Sequence, residues 1–172
     1  GDIVYSSTKL LNLSQPKIDN FKLINLMQRN NISFNDLKKS LNKFKNLKVH
    51  VVGDTIIDSY TRTNLIGGYT KTPTASVLFQ EKTDYTGGAA IVAKHLKKAG
   101  ADVNFTTILG NDQLKNLVIK EMKKSKIKLN VIIDKTRSTT NKNVISAGGY
   151  NLLKVDKVDN QPISTNILNK IK

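Results

Sequence analysis

Tyr85-Thr86-Gly87-Gly88-Ala89-Ala90-Ile91-Val92-Ala93-Lys94-His95-Leu96-Lys97-Lys98-Ala99-Gly100 is the stretch around which the rest of the chain can be placed. Ala89, Val92, Ala93 and Leu96 recur at i, i+3, i+4 and i+7, the spacing of one apolar helix face. Lys94, His95, Lys97 and Lys98 fill the opposite face, and Gly100 stands where a helix C-cap is expected. Two glycines at a helix start let a ligand approach bare backbone, and the unpaired N–H groups there favour polar or anionic groups. A plain strand-to-helix turn would use the same residues, so the flanking sequence has to decide.

Upstream, Val49 to Val52 is a short apolar run closed by Gly53, which fits a buried parallel strand. Ligands of open α/β sheets bind beyond the carboxyl ends of such strands, which puts Asp54 and Asp58 in a loop on the ligand side. A carboxylate there can accept bonds from two neighbouring ligand hydroxyls; a solvated loop acid or a helix cap is the alternative for both. Downstream, Val103 to Leu109 reads as the next strand, ending at Gly110-Asn111-Asp112. Asp112 is expected to cap a helix bearing Leu114, Leu117, Val118 and Met122, with Lys123, Lys124 and Lys126 near its C-terminus. Leu129 to Ile133 gives another strand, ending at Asp134. Residues 61 to 86 hold Gly67-Gly68, Pro73 and the alternating run Ser76 to Glu81, and Asn143 to Asp156 predicts a hairpin turning at Ala147-Gly148-Gly149.

In combination these pieces carry a resemblance. Gly87-Gly88-Ala89-Ala90-Ile91-Val92-Ala93, with Gly100 and Gly110 at their intervals, resembles the N-terminal signature of the ribokinase (PfkB) family of sugar kinases. Val51 to Tyr60 is similar to the first strand and first substrate loop of the branch that phosphorylates heptose phosphates, and Leu109 to Asp112 and Thr139 to Lys142 fall where that branch has similar residues. The resemblance spans roughly residues 47 to 160. It implies an α/β fold: the N-terminal part of a ribokinase-like, Rossmann-type α/β/α sandwich with a small β-sheet lid, preceded by two linker helices. It implies a kinase that moves the ATP γ-phosphoryl group to a carbohydrate hydroxyl, with ATP and Mg2+ as cofactors of the complete protein. A sugar or sugar phosphate is the implied partner, and a homodimer through the lid the implied assembly.

The site follows from the same resemblance. Asp58 matches the family acid that binds sugar hydroxyls, and Asp54 matches the heptose branch. Gly87 and Gly88 line the substrate, and Lys142 is placed to neutralise a substrate phosphate, a solvated lysine being the alternative. Ile91 stands where the family signature has Asn, and Asn there would bond a sugar hydroxyl. The family base is the Asp of a Gly-Ala-Gly-Asp motif, and that motif occurs nowhere in residues 1 to 172. No catalytic residue is therefore assigned in this chain, which is expected to hold the sugar-binding and lid portion and to be inactive alone.

Ahead of residue 47 the sequence is of another kind. Ser6-Ser7-Thr8 followed by Lys9-Leu10-Leu11 is a helix start with hydroxyl caps. It is also similar to the Ser-Thr-Thr-x-Ile-Ile element of small cytidylyltransferase domains, whose hydroxyls hold nucleotide phosphates. Residues 1 to 15 are accordingly read as the tail of an upstream nucleotidyltransferase-like domain, 16 to 46 as a helical linker and 47 to 172 as the incomplete kinase domain. In the linker, Ile18, Phe21, Ile24 and Met27 mark one helix face. Ser33 with Asp36 caps a second helix, whose stripe is Phe34, Leu37, Leu41 and Phe44.

The chain carries a formal charge of +15, which invites a nucleic-acid reading. Of its 28 basic residues, however, only Arg29, Arg62 and Arg137 are arginine, the residue suited to bidentate base contacts. The lysines are scattered and aromatics are few, so no specific nucleic-acid partner is expected. There is no Cys, which excludes disulfides and thiolate chemistry, and His50 and His95 have no acid cluster to build a metal site. No apolar run approaches a membrane span, so the expected setting is the cytoplasm without membrane contact. Two further classes stay open at this point: a non-catalytic α/β sugar-binding or dimerising module, and a dinucleotide binder. The latter wants Gly-x-Gly-x-x-Gly directly after the first strand, where this chain has Gly53-Asp54.

Overall fold

The computed structural model describes residues 15–67 and 74–171, in two units that divide between residues 43 and 44. Ser6, Ser7, Thr8, Gly68 and Pro73 lie outside the described residues. In the first unit, helices α1 (Gln15–Arg29) and α2 (Phe34–Phe44) form where the periodicity puts them. Ser33 and Asp36 close a reciprocal cap at the start of α2: the Asp36 amide donates to Ser33 Oγ at 3.2 Å, and the Ser33 amide donates to Asp36 Oδ2 at 3.0 Å. The Ser33 hydroxyl donates to the same carboxylate, and these bonds hold Asp36 below the ordinary carboxyl range. Met27 is buried, whereas Phe34, Leu37 and Leu41 of the α2 stripe are exposed.

The second unit is built on two sheets. The first is parallel: β1 (Lys48–Val52), β4 (Asp102–Gly110) and β5 (Lys128–Asp134), in the order β1-β4-β5. Val49, Val51, Val103, Phe105, Leu109, Leu129, Val131 and Ile133 take one face of it. There they pack with Ala90, Ala93, Val118 and Met122 of α3 (Ala89–Ala99) and α4 (Leu114–Lys124). The other face is largely polar. Thr106 and Asn130 lie there in register, and Thr106 Oγ1 reaches diagonally to within 2.8 Å of His50 Nε2. β1 is parallel as the sequence implies, but among the described residues it pairs only with β4, and of the expected buried run Val49 and Val51 pack on the core while Val52 is 53% exposed.

Helix α3 sits slightly rotated from its sequence reading. Ala90 and Ala93 are fully buried, while Val92 is 49% exposed. The apolar stripe runs along the alanines, whose small side chains let the helix lie close to the strands beneath. At its end Gly100 adopts φ 110° and donates to the Lys97 carbonyl, and Ala101 N–H reaches back to Leu96 O. That paired bonding satisfies the last carbonyls and ends the helix.

The second sheet runs β3-β2-β6-β7, from strands β2 (Thr55–Gly67), β3 (Ser76–Gly88), β6 (Thr140–Ala147) and β7 (Tyr150–Lys157). β2 pairs parallel with β6, and the outer pairs are antiparallel. Gly148 and Gly149 turn β6 into β7 with φ of 57° and 84°, the two positive values that a two-residue hairpin turn of matching twist needs. The hairpin is a few residues longer at its base than the sequence indicates. α5 (Thr165–Ile171) follows and contacts β5. The α/β class with a small accompanying sheet is thus as the sequence implies. Among the described residues no helix is long and apolar enough to cross a membrane.

Candidate functional site

Only Gly53 and Asp54 separate β1 from β2, and they set the geometry of the site. The Asp54 carbonyl accepts the Ala89 N–H at 2.9 Å, which joins the entry into the small sheet to the exit from it. Gly88 makes this closeness workable. At φ 60° and ψ −138° it is in a region L residues rarely adopt, and a Cβ there would lie 2.5 Å from the Asp54 carbonyl oxygen. Nearby, Thr55 Oγ1 and Thr107 Oγ1 share a buried hydrogen bond of 2.9 Å, fixing the start of β2 to β4.

Asp58 is not in a loop, as its sequence context suggests, but in strand β2. Thr55, Ile57 and Ser59 are buried and alternate with Asp58 and Tyr60, so the strand begins directly after Asp54. The register pairs Asp58 with Tyr85 of β3 on one side and with Lys142 of β6 on the other, and Lys142 in turn with Asp156 of β7. Tyr85, Asp58, Lys142 and Asp156 therefore form one row across one face of the sheet. Gly87 lies beside Asp58, and a Cβ on it would run into Asp58 Oδ2. Tyr60 shares the face and meets Tyr85 edge-on, with centroids 5.9 Å apart at 70°. A carboxylate acceptor, an ammonium donor and two half-exposed rings together suit a polyol: hydroxyls to the charges, ring C–H groups to the aromatic faces.

The opposite face is bonded internally. Ser59 Oγ donates to Asp84 Oδ1. Asn141 Nδ2 donates to Ser59 Oγ at 2.7 Å and to the Ile57 carbonyl at 2.9 Å. Of the pair Asn141-Lys142, then, Asn141 ties strands together and Lys142 stands on the site face. Sequence reasoning misses Tyr60, Tyr85 and Asp156. The i, i+2 relation of Tyr60 to Asp58 is a signal that could reveal the first, whereas Tyr85 and Asp156 depend on strand pairing that sequence alone does not give.

Asp112 caps α4 as expected and also anchors the approach to β6. Its Oδ1 accepts the Leu114 amide at 3.1 Å and its Oδ2 the Thr139 amide at 2.8 Å. Burial pushes this carboxyl up, but amide and hydroxyl bonds from Thr139, with those from Lys115 and Leu114, outweigh it and leave it below its ordinary value. Thr139 Oγ1 accepts the Gly110 amide at 3.0 Å, and a Cβ on Gly110 would lie 2.5 Å from Thr139 N. Ile91 sits half-buried in the first turn of α3, three positions beyond Gly88. Among the described residues no group of three or more His, Cys, Asp or Glu could hold a metal ion.

Comparison with known proteins agrees with this geometry. Residues 46–166 match the model of the pfkB family carbohydrate kinases. The bifunctional protein HldE of Sulfurimonas denitrificans is 27% identical over 118 residues, covering 68% of this chain and 25% of the relative. HldE of Helicobacter acinonychis is 31% identical over 123 residues, 70% of this chain and 26% of the relative. The chain spans about a quarter of the length of these curated relatives. A carbohydrate kinase structure from Agrobacterium tumefaciens superposes with a TM-score of 0.54 at 19% identity, over 64% of this chain and 35% of that one, a likeness of fold. With a family model matched over most of its length and a sheet, helix and glycine pair arranged to suit it, the chain belongs to the pfkB family of carbohydrate kinases.

Proposed function

We propose that this chain is the sugar-binding and lid portion of a kinase that transfers the ATP γ-phosphoryl group to a hydroxyl of a sugar phosphate of the heptose type. The observation that carries the reading is the Asp58 carboxylate held against Gly87, with Lys142 beside it in the next strand. Asp58 accepts hydrogen bonds from neighbouring sugar hydroxyls and so fixes which hydroxyl is presented. Lys142 neutralises the substrate phosphate, and Tyr60 with Tyr85 covers the ring. The small sheet excludes water, which limits loss of the phosphoryl group to hydrolysis. ATP with Mg2+ is the phosphoryl donor in the complete protein. The base that activates the hydroxyl is assigned outside these 172 residues, because no Gly-Ala-Gly-Asp occurs in them. The resemblance of Val51 to Tyr60 supports a heptose phosphate, and that of Ser6 to Leu11 supports an upstream nucleotidyltransferase domain in a cytoplasmic, dimeric protein.

The test is ATP turnover by the full-length protein across a panel of sugar phosphates, with Asp58→Asn beside the wild type. Sugar-dependent turnover that falls at least about 100-fold in kcat/KM in the variant is expected, since the charged acceptor contributes several kcal/mol to transition-state binding. Turnover untouched by Asp58→Asn would remove Asp58 from the site. Ile91 favours a second reading, a non-catalytic sugar-binding or dimerising module, because a helix-start Ile cannot bond a hydroxyl. Sugar binding or a stable dimer without any turnover would select it.

A further inference from the structure

The chain passes between the two sheets four times: into β2 after Gly53, out of β3 at Gly88, into β6 across residues 135–139, and out of β7 across 158–164. The first two crossings are joined by backbone, through the Asp54 carbonyl and Ala89 N–H. The last two are joined differently. Asp134, 4% exposed at the end of β5, accepts from the Thr136 amide at 2.9 Å and from Arg137 Nε at 2.9 Å. Arg137 Nη2 then donates across to the carbonyls of Gln161 and Pro162, each at 3.3 Å. One side chain thus spans the strand end, the entry into β6 and the exit from β7. The small cleft between the crossings is lined by Asp54, Thr55, Gly110, Arg137, Thr140 and Asp159.

We infer that Arg137 is a latch that ties the exit from β7, residues 158–164, to the end of β5. A guanidinium can make this three-way link where other side chains cannot. Its rigid fork bonds a carboxylate and two carbonyls at once, while a lysine ammonium on a flexible stem reaches one partner or the other. The other hairpin, β2–β3, is clamped by main chain and does not depend on any side chain for that link. Loss of Arg137 therefore frees the exit from β7, while the entry into β6 keeps the Thr139 bonds with Asp112 and Gly110 and β6 keeps its ladder with β2.

The test is amide hydrogen exchange on the full-length protein, which needs no substrate and so stands apart from the kinase reading. Arg137→Ala and Arg137→Lys are each expected to raise exchange at least about 10-fold across β7 and residues 158–163, with β4 and β5 unchanged. Unchanged exchange in β7, or an equal rise in β4 and β5, would overturn the latch; the second result marks general destabilisation. Should Arg137→Ala fail to fold, Arg137→Lys, which keeps the charge beside Asp134, decides alone.

Discussion

Gly87 and Asp58 are packed so closely across β2 and β3 that a Cβ at position 87 would occupy the place of Asp58 Oδ2. The nearest atom is the tip of a side chain that can rotate, not backbone, so the fold can absorb the change. Gly87→Ala is therefore expected to leave unfolding free energy within about 1 kcal/mol of wild type, a small overpacking cost. It should nonetheless swing the carboxylate off its position and weaken sugar binding at least about 10-fold. Chemical denaturation and sugar-phosphate titration of the full-length protein separate the two effects. A variant that binds as wild type would show that Asp58 does not need this position.

Gly88, one residue on, should behave in the opposite way. Its φ of 60° is strained for any L side chain, and its would-be Cβ meets the Asp54 carbonyl oxygen, which belongs to backbone. Gly88→Ala is expected to cost roughly 1–3 kcal/mol of stability, the usual scale of such strain. The measurement is the denaturation midpoint; a cost near zero would mean that the crossing relaxes without penalty.

How much of this is legible in the sequence divides by the range of the interaction involved. The α3 helix, its Gly100 cap and the Gly148-Gly149 turn are set by residues within a few positions of each other, and they stand where the sequence puts them. Sequence and structure part where distant pairing decides. Asp58 reads as a loop residue because nothing local shows that β6 arrives to pair with β2 and extend it. β1 reads as buried because Val49 to Val52 is largely apolar, whereas only the alternate residues Val49 and Val51 face the core and Val52 turns away from it. Val92 leaves the expected stripe because the buried alanines at 90 and 93 let the helix turn its narrow side inward. The row from Tyr85 to Asp156 crosses four strands and has no local signal beyond the alternation of Asp58 with Tyr60.

Asp112 provides a pH-dependent expectation. Its folded pKa is held below the ordinary 3.8, so the ionised form is favoured by folding. That contribution is fully present above the ordinary value and is lost as pH falls through the lowered one, below roughly pH 4. Asp112→Asn, which keeps one neutral acceptor oxygen and leaves one of the two amides from Leu114 and Thr139 with no acceptor, should cost about 1–3 kcal/mol at neutral pH. The gap between variant and wild type should stay level from about pH 7 to 5 and narrow only below about 4. Denaturation curves across that range decide it; a gap that narrows around pH 6 would point to another group.

Ile91 gives the last expectation. It lies in the first turn of α3, half-buried, after the glycine pair that brings the helix start up to Asp54 and Asp58. It stands outside the core cluster, to which this helix contributes Ala90 and Ala93 with Ala89 and Leu96 packed against them. Ile91→Asn should therefore cost less than about 1 kcal/mol in stability, the scale of a substitution outside the core. If the first turn faces the sugar, the new amide adds one hydrogen bond, worth about 1 kcal/mol or roughly a five-fold tighter Kd. Titration of the full-length protein with sugar phosphate measures this directly. Tighter binding in the variant would show that Ile91 limits affinity in this chain. Unchanged binding would place the hydroxyl recognition wholly on the sheet face of Asp58 and Lys142, and weaker binding would mean that the substrate presents an apolar edge to Ile91.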